Sequence, residues 1–299
     1  MTLVCIKDLT KKFGKFTALD KINLNINKGE IYGFIGPNGA GKTTTIRLLL
    51  GLLKKTSGEV HLFNKDAFKE AVAIHKRVSY VPGDINLWPN LTGGEVIDLF
   101  LNLHGSYNLK KKEELIKEFK IDLHKKCQTY SKGNKQKVVL IAALLIEADL
   151  YIFDEPTAGL DPLMEKVFQK HLLKLKKEGK SIFLSSHLLT EVEKVCDKVS
   201  IIKEGKIIET GSLKDLKHLT RLKMLIETKK KIPTLNKVMG IYDVKEEERR
   251  YSFQVDKEYL SQVIQYISSY EVIHLESSLP TLEDLFMSYY DEDGVWKNV

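Results

Sequence analysis

The residues with the clearest chemistry form a glycine-rich loop near the start of the chain. Gly36-Pro-Asn-Gly-Ala-Gly41-Lys42-Thr43 has the spacing G-x4-G-K-[ST], which cradles nucleotide phosphates. Its glycines let backbone N–H groups converge on phosphate oxygens, while Lys42 reaches the β- and γ-phosphates and Thr43 offers a hydroxyl to Mg²⁺. The loop therefore predicts a site for a nucleoside triphosphate with Mg²⁺. We expect contacts from the loop and the residue after it: Gly36, Pro37, Asn38, Gly39, Ala40, Gly41, Lys42, Thr43 and Thr44.

Two acidic residues follow a compact apolar segment much later in the chain. Leu150 to Phe153 is predicted to be a buried strand, and Asp154 and Glu155 come at its carboxyl end. In this position Asp154 would hold Mg²⁺, and Glu155 would polarise the attacking water for in-line transfer of a phosphoryl group. Open parallel sheets bind their ligands at the carboxyl ends of strands, so we expect this acid pair beside the glycine-rich loop.

Weaker candidates lie between and after these two motifs. Ser131 is a good N-cap for the long helix that follows it, and an exposed helix N-terminus attracts anions. Gly159-Leu160-Asp161 follows the acid pair, and His187 ends a strand that we expect beside the one ending at Asp154. Taken alone, Ser131 is better explained as an ordinary helix start, and a histidine after a strand is more often a surface or core residue than a catalytic one.

The elements that position these residues change in type along the chain. Strands and turns dominate the first ninety residues, with a helix predicted over Lys42–Leu52 directly after the loop. Residues 92–146 carry helical periodicity, and from Leu150 onward apolar strands alternate with helices. This alternation indicates a mostly parallel sheet with both faces covered. We therefore predict an α/β domain over residues 1–218 with a helical subdomain at about 92–146.

A second, smaller domain is predicted for residues 219–299. The pattern after about Thr220 changes to short strands with few helices, which is typical of an α+β domain. We expect strands at Arg221–Glu227, Ile241–Val244, Arg250–Val255 and Val272–Glu276, and helices at Lys257–Ser268 and Thr281–Tyr290.

Composition narrows the class of protein without choosing a partner. The chain has 299 residues and a formal net charge of +7, and residues 1–218 hold 36 Lys and Arg against 26 Asp and Glu. A basic domain suits polyphosphate, nucleic acid or an anionic membrane surface. The longest apolar run, Val138–Ile146, is much shorter than the roughly 20 residues that cross a bilayer, so we expect no membrane span. The three widely spaced cysteines, Cys5, Cys127 and Cys196, favour free thiols in a reducing compartment.

In their order along residues 1–218, these motifs resemble the nucleotide-binding subunit of an ABC transporter. The resemblance implies a P-loop NTPase core with an antiparallel β subdomain and a helical subdomain, and it implies ATP and Mg²⁺ as ligands. It also implies that Glu155 is the catalytic glutamate and His187 the switch histidine. Phe13 resembles the aromatic residue that stacks on adenine, although a core phenylalanine is the alternative. The remaining implied site residues are Ser131 and Gly133 in the signature motif and Asp161 in the D-loop, which spans Ala158–Asp161.

Two departures from the family pattern concern the metal and the signature motif. Gly83 occupies the place of the usual glutamine, and the resemblance leaves Asp84 as its substitute at the metal. The signature reads Ser131-Lys-Gly-Asn134 in place of the commoner glycine and glutamine at its second and fourth positions. This variant signature is similar to that of ATPases of ABC-2 type drug, antibiotic and peptide exporters. So is an extra C-terminal domain that ends in Thr281-Leu-Glu-Asp-Leu-Phe286, although that segment is also explained as an amphipathic terminal helix.

The same resemblance implies an assembly. Two ATPase subunits, identical or different, face each other head to tail, and ATP on Lys42 of one is capped by Ser131 of the other. An integral-membrane permease docks near Gly83–Trp88, which places the chain at the cytoplasmic face of the cell membrane as a peripheral subunit. Trp88 either forms part of that docking surface or packs within its own domain. No nucleic acid is expected as a partner.

Two other functions are weighed against this one. A soluble ABC ATPase acting on nucleic acid or the ribosome would suit the basic domain, but only 87 residues separate Thr43 from Ser131, without heptads, and there is a single cassette. A P-loop GTPase would need Asn-Lys-x-Asp, and Asn64-Lys-Asp-Ala67 lacks the final acid.

Overall fold

The chain folds into two units that divide between Gly211 and Ser212, each with its own core. The computed structural model describes residues 2–105, 107–218 and 221–278. Up to this boundary the elements in chain order are β1 (Thr2–Phe13), β2 (Phe16–Asn27), β3 (Ile31–Ile35), α1 (Lys42–Leu49), β4 (Ser57–Leu62), β5 (Lys65–Asp66), α2 (Ala71–His75), β6 (Val78–Val81), α3 (Gly93–His104), α4 (Lys112–Phe119), α5 (Lys132–Leu145), β7 (Leu150–Asp154), α6 (Pro162–Lys177), β8 (Ser181–Ser186), α7 (Leu189–Val195), β9 (Lys198–Lys203) and β10 (Lys206–Ser212).

A six-stranded sheet with the order β10-β9-β3-β8-β7-β6 forms the centre of the first unit. Its pairs β3–β8, β3–β9, β7–β8 and β6–β7 are parallel. Every residue of β3, β7 and β8 is buried, as expected for parallel strands with both faces covered. The register pairs Ile35 with Ser186 and Asp154 with Ser185. The loop after β3 and the acid pair after β7 therefore meet at one edge of the sheet.

A four-stranded sheet with the order β2-β1-β4-β5 packs beside this centre. Its neighbouring strands are antiparallel, and the two-residue turn between β1 and β2 places Phe13 opposite Phe16. Leu9 and Leu19 of this sheet share one apolar core with Phe34 of β3. This is the antiparallel β subdomain that the family resemblance implied, and it brings the β1–β2 hairpin close to the glycine-rich loop.

Among its described residues, the stretch 92–146 that was predicted to be helical contains α3, α4 and α5. α3 begins with a capping box, in which Thr92 and Glu95 exchange hydrogen bonds with each other's backbone. α5 begins at the N-cap Ser131 and buries nine residues, so its apolar side chains anchor it in the unit. The prediction of helices in this stretch is confirmed for α3, α4 and α5.

The structure differs from the predicted elements at several places. α1 ends at Leu49 and not at Leu52, because Gly51 takes a φ of 66° and lies so close to Ala67 that a Cβ would come 2.3 Å from its carbonyl oxygen. α2, β9 and β10 were not predicted. β9 contains only a short apolar run between two lysines, Lys198 and Lys203, which gives little periodicity to detect.

The second unit contains an antiparallel sheet with the order β12-β13-β11-β14. Met224 and Phe253 of this sheet pack against Val263 and Ile267 of α9 in an apolar core. The helix predicted over Thr281–Tyr290 lies outside the described residues. The elements are α8 (Leu213–His218), β11 (Leu222–Thr228), β12 (Ile241–Glu247), β13 (Arg250–Val255), α9 (Leu260–Ser268) and β14 (Val272–Ser278). Within the described ranges, none of the helices has the length and hydropathy of a membrane-spanning segment.

Candidate functional site

The glycine-rich loop connects β3 to α1, and its backbone requires glycine. Gly41 has a φ of 114°, in the region that disfavours other residues, and precedes α1 as its N-cap. A Cβ on Gly36 would come 2.4 Å from the carbonyl oxygen of Ile202. The buried Lys42 donates from Nζ to the carbonyl oxygens of Gly36 at 2.6 Å and Pro37 at 3.1 Å. The loop thus closes on itself around the lysine at the start of the helix.

Asp154 and Thr43 lie together at the carboxyl edge of the sheet. Asp154 is buried, and its Oδ2 accepts a hydrogen bond from Thr43 Oγ1 at 2.9 Å. Its Oδ1 accepts from the hydroxyl of Ser185. A carboxylate and a hydroxyl are the hard oxygen donors that suit Mg²⁺, which needs few protein ligands when it also binds phosphate and water. Across the described ranges, this site included, His, Cys, Asp and Glu side chains form no group of three or more that could hold a metal ion.

Glu155 lies between the side chains of Lys42 and His187. Its Oε1 is 3.0 Å from Lys42 Nζ, and its Oε2 is 2.8 Å from Nδ1 of His187. Burial alone would raise the pKa of Glu155, but Lys42 and His187 together hold that pKa below its ordinary value. The carboxylate is therefore ionised at neutral pH and able to accept a hydrogen bond from water.

A cavity of about 330 Å³ lies in front of the loop. Glu155 lines it on one side, and the rings of Phe13 and Phe16 line it on another. Phe13 is half exposed, with Lys11 Nζ 4.6 Å from its ring centroid. Phe16 was missed in the sequence, although its place across a two-residue turn from Phe13 was a signal that could have found it. Two aromatic rings and a phosphate-binding loop suit a nucleotide, since rings can stack on its base.

The signature and D-loop residues lie apart from this cavity in the same chain. Ser131 is exposed and caps α5, where it accepts from the N–H of Asn134 at 3.3 Å. Asp161 caps α6 and accepts from two backbone N–H groups. A Cβ on Gly133 would come 2.4 Å from the carbonyl oxygen of Gly159, so the two motifs are in close contact. The buried amide of Gln136, a residue not predicted from the sequence, donates to the carbonyl oxygen of Pro156 at 2.7 Å.

Gly83, at the place of the family's usual glutamine, lies beside Asp154. A Cβ on Gly83 would lie 3.3 Å from the backbone oxygen of Asp154 and 3.5 Å from its carboxyl carbon. Asp84 lines a different cavity, a groove of about 750 Å³ between the core and the helical stretch. Trp88 is half exposed, and its ring centroid is 6.1 Å from that of Phe100.

The glycine-rich loop, the acid pair and the histidine at one edge of a parallel sheet define a P-loop nucleoside triphosphatase. Residues 19–158 match the family model "ABC transporter", and residues 211–290 match "ATP-binding protein DrrA1-3-like, C-terminal domain". The bacitracin transport ATP-binding protein BcrA of Bacillus licheniformis is 39% identical over 211 residues, which are 70% of this chain and 69% of that protein. The uncharacterized ABC transporter ATP-binding protein YhcH of Bacillus subtilis is 36% identical, with the same coverage.

Solved structures with a similar fold are also described as ATP-binding subunits or cassettes. One described as the ATP binding subunit of an ABC transporter has a TM-score of 0.67 at 31% identity, over 73% of this chain and 92% of that one. The dimeric post-hydrolysis state of the ATP-binding cassette MJ0796, bound to ADP and Pi, has a TM-score of 0.64 at 27% identity. The match covers 71% of this chain and 99% of that one.

The chain belongs to the family of ABC transporter ATP-binding proteins. It is the ATP-binding and ATP-hydrolysing subunit that powers an ABC exporter. The resemblance, the α/β P-loop fold and the ATPase activity predicted from the sequence are thereby confirmed. The alternative of a soluble ABC ATPase acting on nucleic acid or the ribosome is not favoured.

Proposed function

We propose that the chain hydrolyses ATP with Mg²⁺ to drive export of a drug, an antimicrobial or a peptide. The observation that carries this proposal is the ionised Glu155, which lies between Lys42 and His187 at the mouth of the phosphate-binding loop. Relatives named for bacitracin transport, in two organisms, and for multidrug transport support the class of cargo.

Each residue of the site takes a role that its position supports. Lys42 binds the β- and γ-phosphates, and Thr43 and Asp154 would hold Mg²⁺, which would supply positive charge against the phosphates. Glu155 orients and polarises the attacking water because its carboxylate is ionised. His187, bonded to Glu155, keeps that carboxylate turned toward the phosphates. Phe13 and Phe16 stack on the base.

Ser131, Gly133 and Asp161 act on the ATP of a second ATPase subunit. All three lie outside the cavity that contains Lys42. Ser131 and Asp161 cap helices, and Gly133 lies in the first turn of α5, where backbone N–H groups attract anions. A head-to-tail pair brings them to the partner's γ-phosphate and excludes water from the site. The dimeric state of the similar cassette MJ0796 supports such a pair.

The groove that contains Asp84 receives the permease at the cytoplasmic face of the membrane. Its wall has exposed apolar side chains, among them Leu52, Val72 and Leu103, which suit a helix of a partner protein. Because this groove lies between the core and the helical stretch, closure around ATP would move a segment docked there. Asp84 remains a predicted metal ligand, and its place in the groove gives it a second role as a contact to the permease.

The test is Glu155→Gln, which keeps the shape of the side chain and removes its charge. We expect hydrolysis to fall by at least a hundredfold while ATP binding persists, because the phosphate contacts of Lys42 are retained. The variant should also elute as an ATP-dependent dimer in size-exclusion chromatography, since ATP then stays bound between the subunits. Hydrolysis at the wild-type rate would contradict the role of Glu155, and a strictly monomeric variant with bound ATP would contradict the paired site.

A further inference from the structure

Ser185 is a buried hydroxyl beside the acid pair, and none of the roles assigned above involves it. It lies on β8 directly opposite Asp154 on β7, and it is fully buried. Its Oγ donates to Oδ1 of Asp154 and accepts from the backbone N–H of Glu155 at 3.2 Å. One hydroxyl therefore contacts both acids of the site at once.

The bond to Asp154 determines how its carboxylate is oriented. Oδ2 of Asp154 meets the hydroxyl of Thr43, while Oδ1 is occupied by Ser185. The terminal torsion of an aspartate is broad, so without a fixed partner the carboxylate could rotate and turn Oδ2 away from Thr43. Residues that hold a metal-binding carboxylate in this way commonly change metal affinity when they are removed.

The bond to Glu155 supports an unusual backbone conformation. Glu155 has a φ of 49°, in the left-handed region that is costly for a residue with a side chain. Its N–H points at Ser185 and bonds both to the backbone oxygen, at 3.1 Å, and to the hydroxyl. This peptide orientation is the one that brings the Glu155 carboxylate to Lys42 and His187.

We propose that Ser185 is a positioning residue for ATP hydrolysis, whose hydroxyl holds Asp154 in place for the metal and Glu155 in place for the attacking water. This inference rests on the proposed function of the acid pair. It predicts that loss of the hydroxyl weakens metal binding and catalysis together, while binding of the nucleotide by the loop is left intact.

Ser185→Ala tests the proposal, with Mn²⁺ as a spectroscopic probe for the metal. We expect Mn²⁺ binding in the presence of ADP, measured by electron paramagnetic resonance, to weaken about tenfold. ADP binding in EDTA should change by less than about twofold, and kcat at saturating metal should fall as well, since the Glu155 N–H loses one of its two hydrogen bonds to Ser185. Ser185→Thr, which restores a hydroxyl in a residue suited to strands, should recover most of the metal affinity.

Ser79→Ala is the matched control. Ser79 lies on β6, is also buried, and donates to the carbonyl oxygen of Ala143 at 3.0 Å, so its loss also removes one buried hydrogen bond from a strand of the same sheet. We expect it to lower the melting temperature without changing Mn²⁺ affinity. If Ser185→Ala does not fold, Ser185→Cys keeps the size of the side chain with a weaker hydrogen bond, and the same measurements are made on it.

Unchanged Mn²⁺ affinity in the folded variant would overturn the proposal. So would an equal loss of metal affinity and of metal-free ADP binding, because that result would indicate general damage to the site. The Mn²⁺ result for Ser185→Ala can be distinguished from the hydrolysis result for Glu155→Gln. If Glu155→Gln hydrolyses ATP normally while Ser185→Ala still weakens Mn²⁺ binding, the role of Ser185 toward the metal stands and the proposed role of Glu155 fails.

Discussion

Several side chains in this site each make more than one polar contact. Lys42 bonds to loop carbonyls and pairs with Glu155, and Glu155 in turn pairs with His187. Lys42, the proposed phosphate ligand, also holds the pKa of the Glu155 carboxyl below its ordinary value. On the roles proposed above, one salt bridge would therefore link nucleotide binding to hydrolysis.

A residue-scale prediction concerns the two rings at the nucleotide cavity. We expect Phe16→Ala and Phe13→Ala each to raise the KM for ATP about tenfold with little change in kcat, because stacking on a base contributes about 1–3 kcal/mol. Phe68, which is half exposed but lies outside that cavity, offers the control Phe68→Ala. Steady-state kinetics measures the effect. If Phe16→Ala behaves like the control, the base does not contact that ring.

At the scale of elements, α5 is held against the segment that follows the acid pair. Gln136 bonds to Pro156, and Gly133 approaches Gly159 so closely that no Cβ would fit. These contacts connect the signature motif at the start of α5 to the D-loop within one chain. We therefore expect any movement of α5 to displace the residues directly after Glu155.

The prediction at this scale compares two glycines in the first turns of two helices. Gly133→Ala should cost about 1–3 kcal/mol of stability, because the Cβ would meet backbone 2.4 Å away, and it should slow hydrolysis. In Gly94→Ala of α3, the added Cβ would lie 3.6 Å from its nearest neighbouring atom. Because alanine also favours a helix, stability should stay the same or rise by up to about 1 kcal/mol. Thermal unfolding and ATPase assays measure both. Equal melting temperatures for the two variants would show that Gly133 has room for a side chain.

Most of the site was predictable because its chemistry is local in sequence. The glycine-rich loop, the acid pair and His187 each follow a strand that its apolar run identifies, and parallel strands bring such ends together. Ser185 and Phe16 were not predicted, because their roles depend on which residue lies opposite them in the neighbouring strand. This register between strands cannot be read from a single sequence. The approach of Gly83 to Asp154 depends on the turn after β6, which carries no periodic signal.

On the scale of the whole molecule, the chain contains two cores of different kinds. The first unit is built on a parallel sheet with the nucleotide site at its edge, and the second on a small antiparallel sheet with α9. The division predicted at residues 218 and 219 stays a prediction, whereas the contacts divide the chain between Gly211 and Ser212. Separate cores suggest that each unit has its own stability.

A matched pair of core substitutions tests this independence. Phe183 in β8 and Phe253 in β13 are both fully buried, and replacing a buried phenylalanine with alanine costs about 3–5 kcal/mol. We expect Phe253→Ala to lower the melting temperature of the second unit while ATP binding by the first unit persists. Phe183→Ala should abolish ATP binding at a temperature where the wild type is folded. Calorimetry with and without ATP separates the two transitions, because a ligand raises the melting temperature only of the unit that binds it. If Phe253→Ala removes ATP binding as completely as Phe183→Ala does, the two units unfold as one, and the second domain is part of the folding unit of the ATPase.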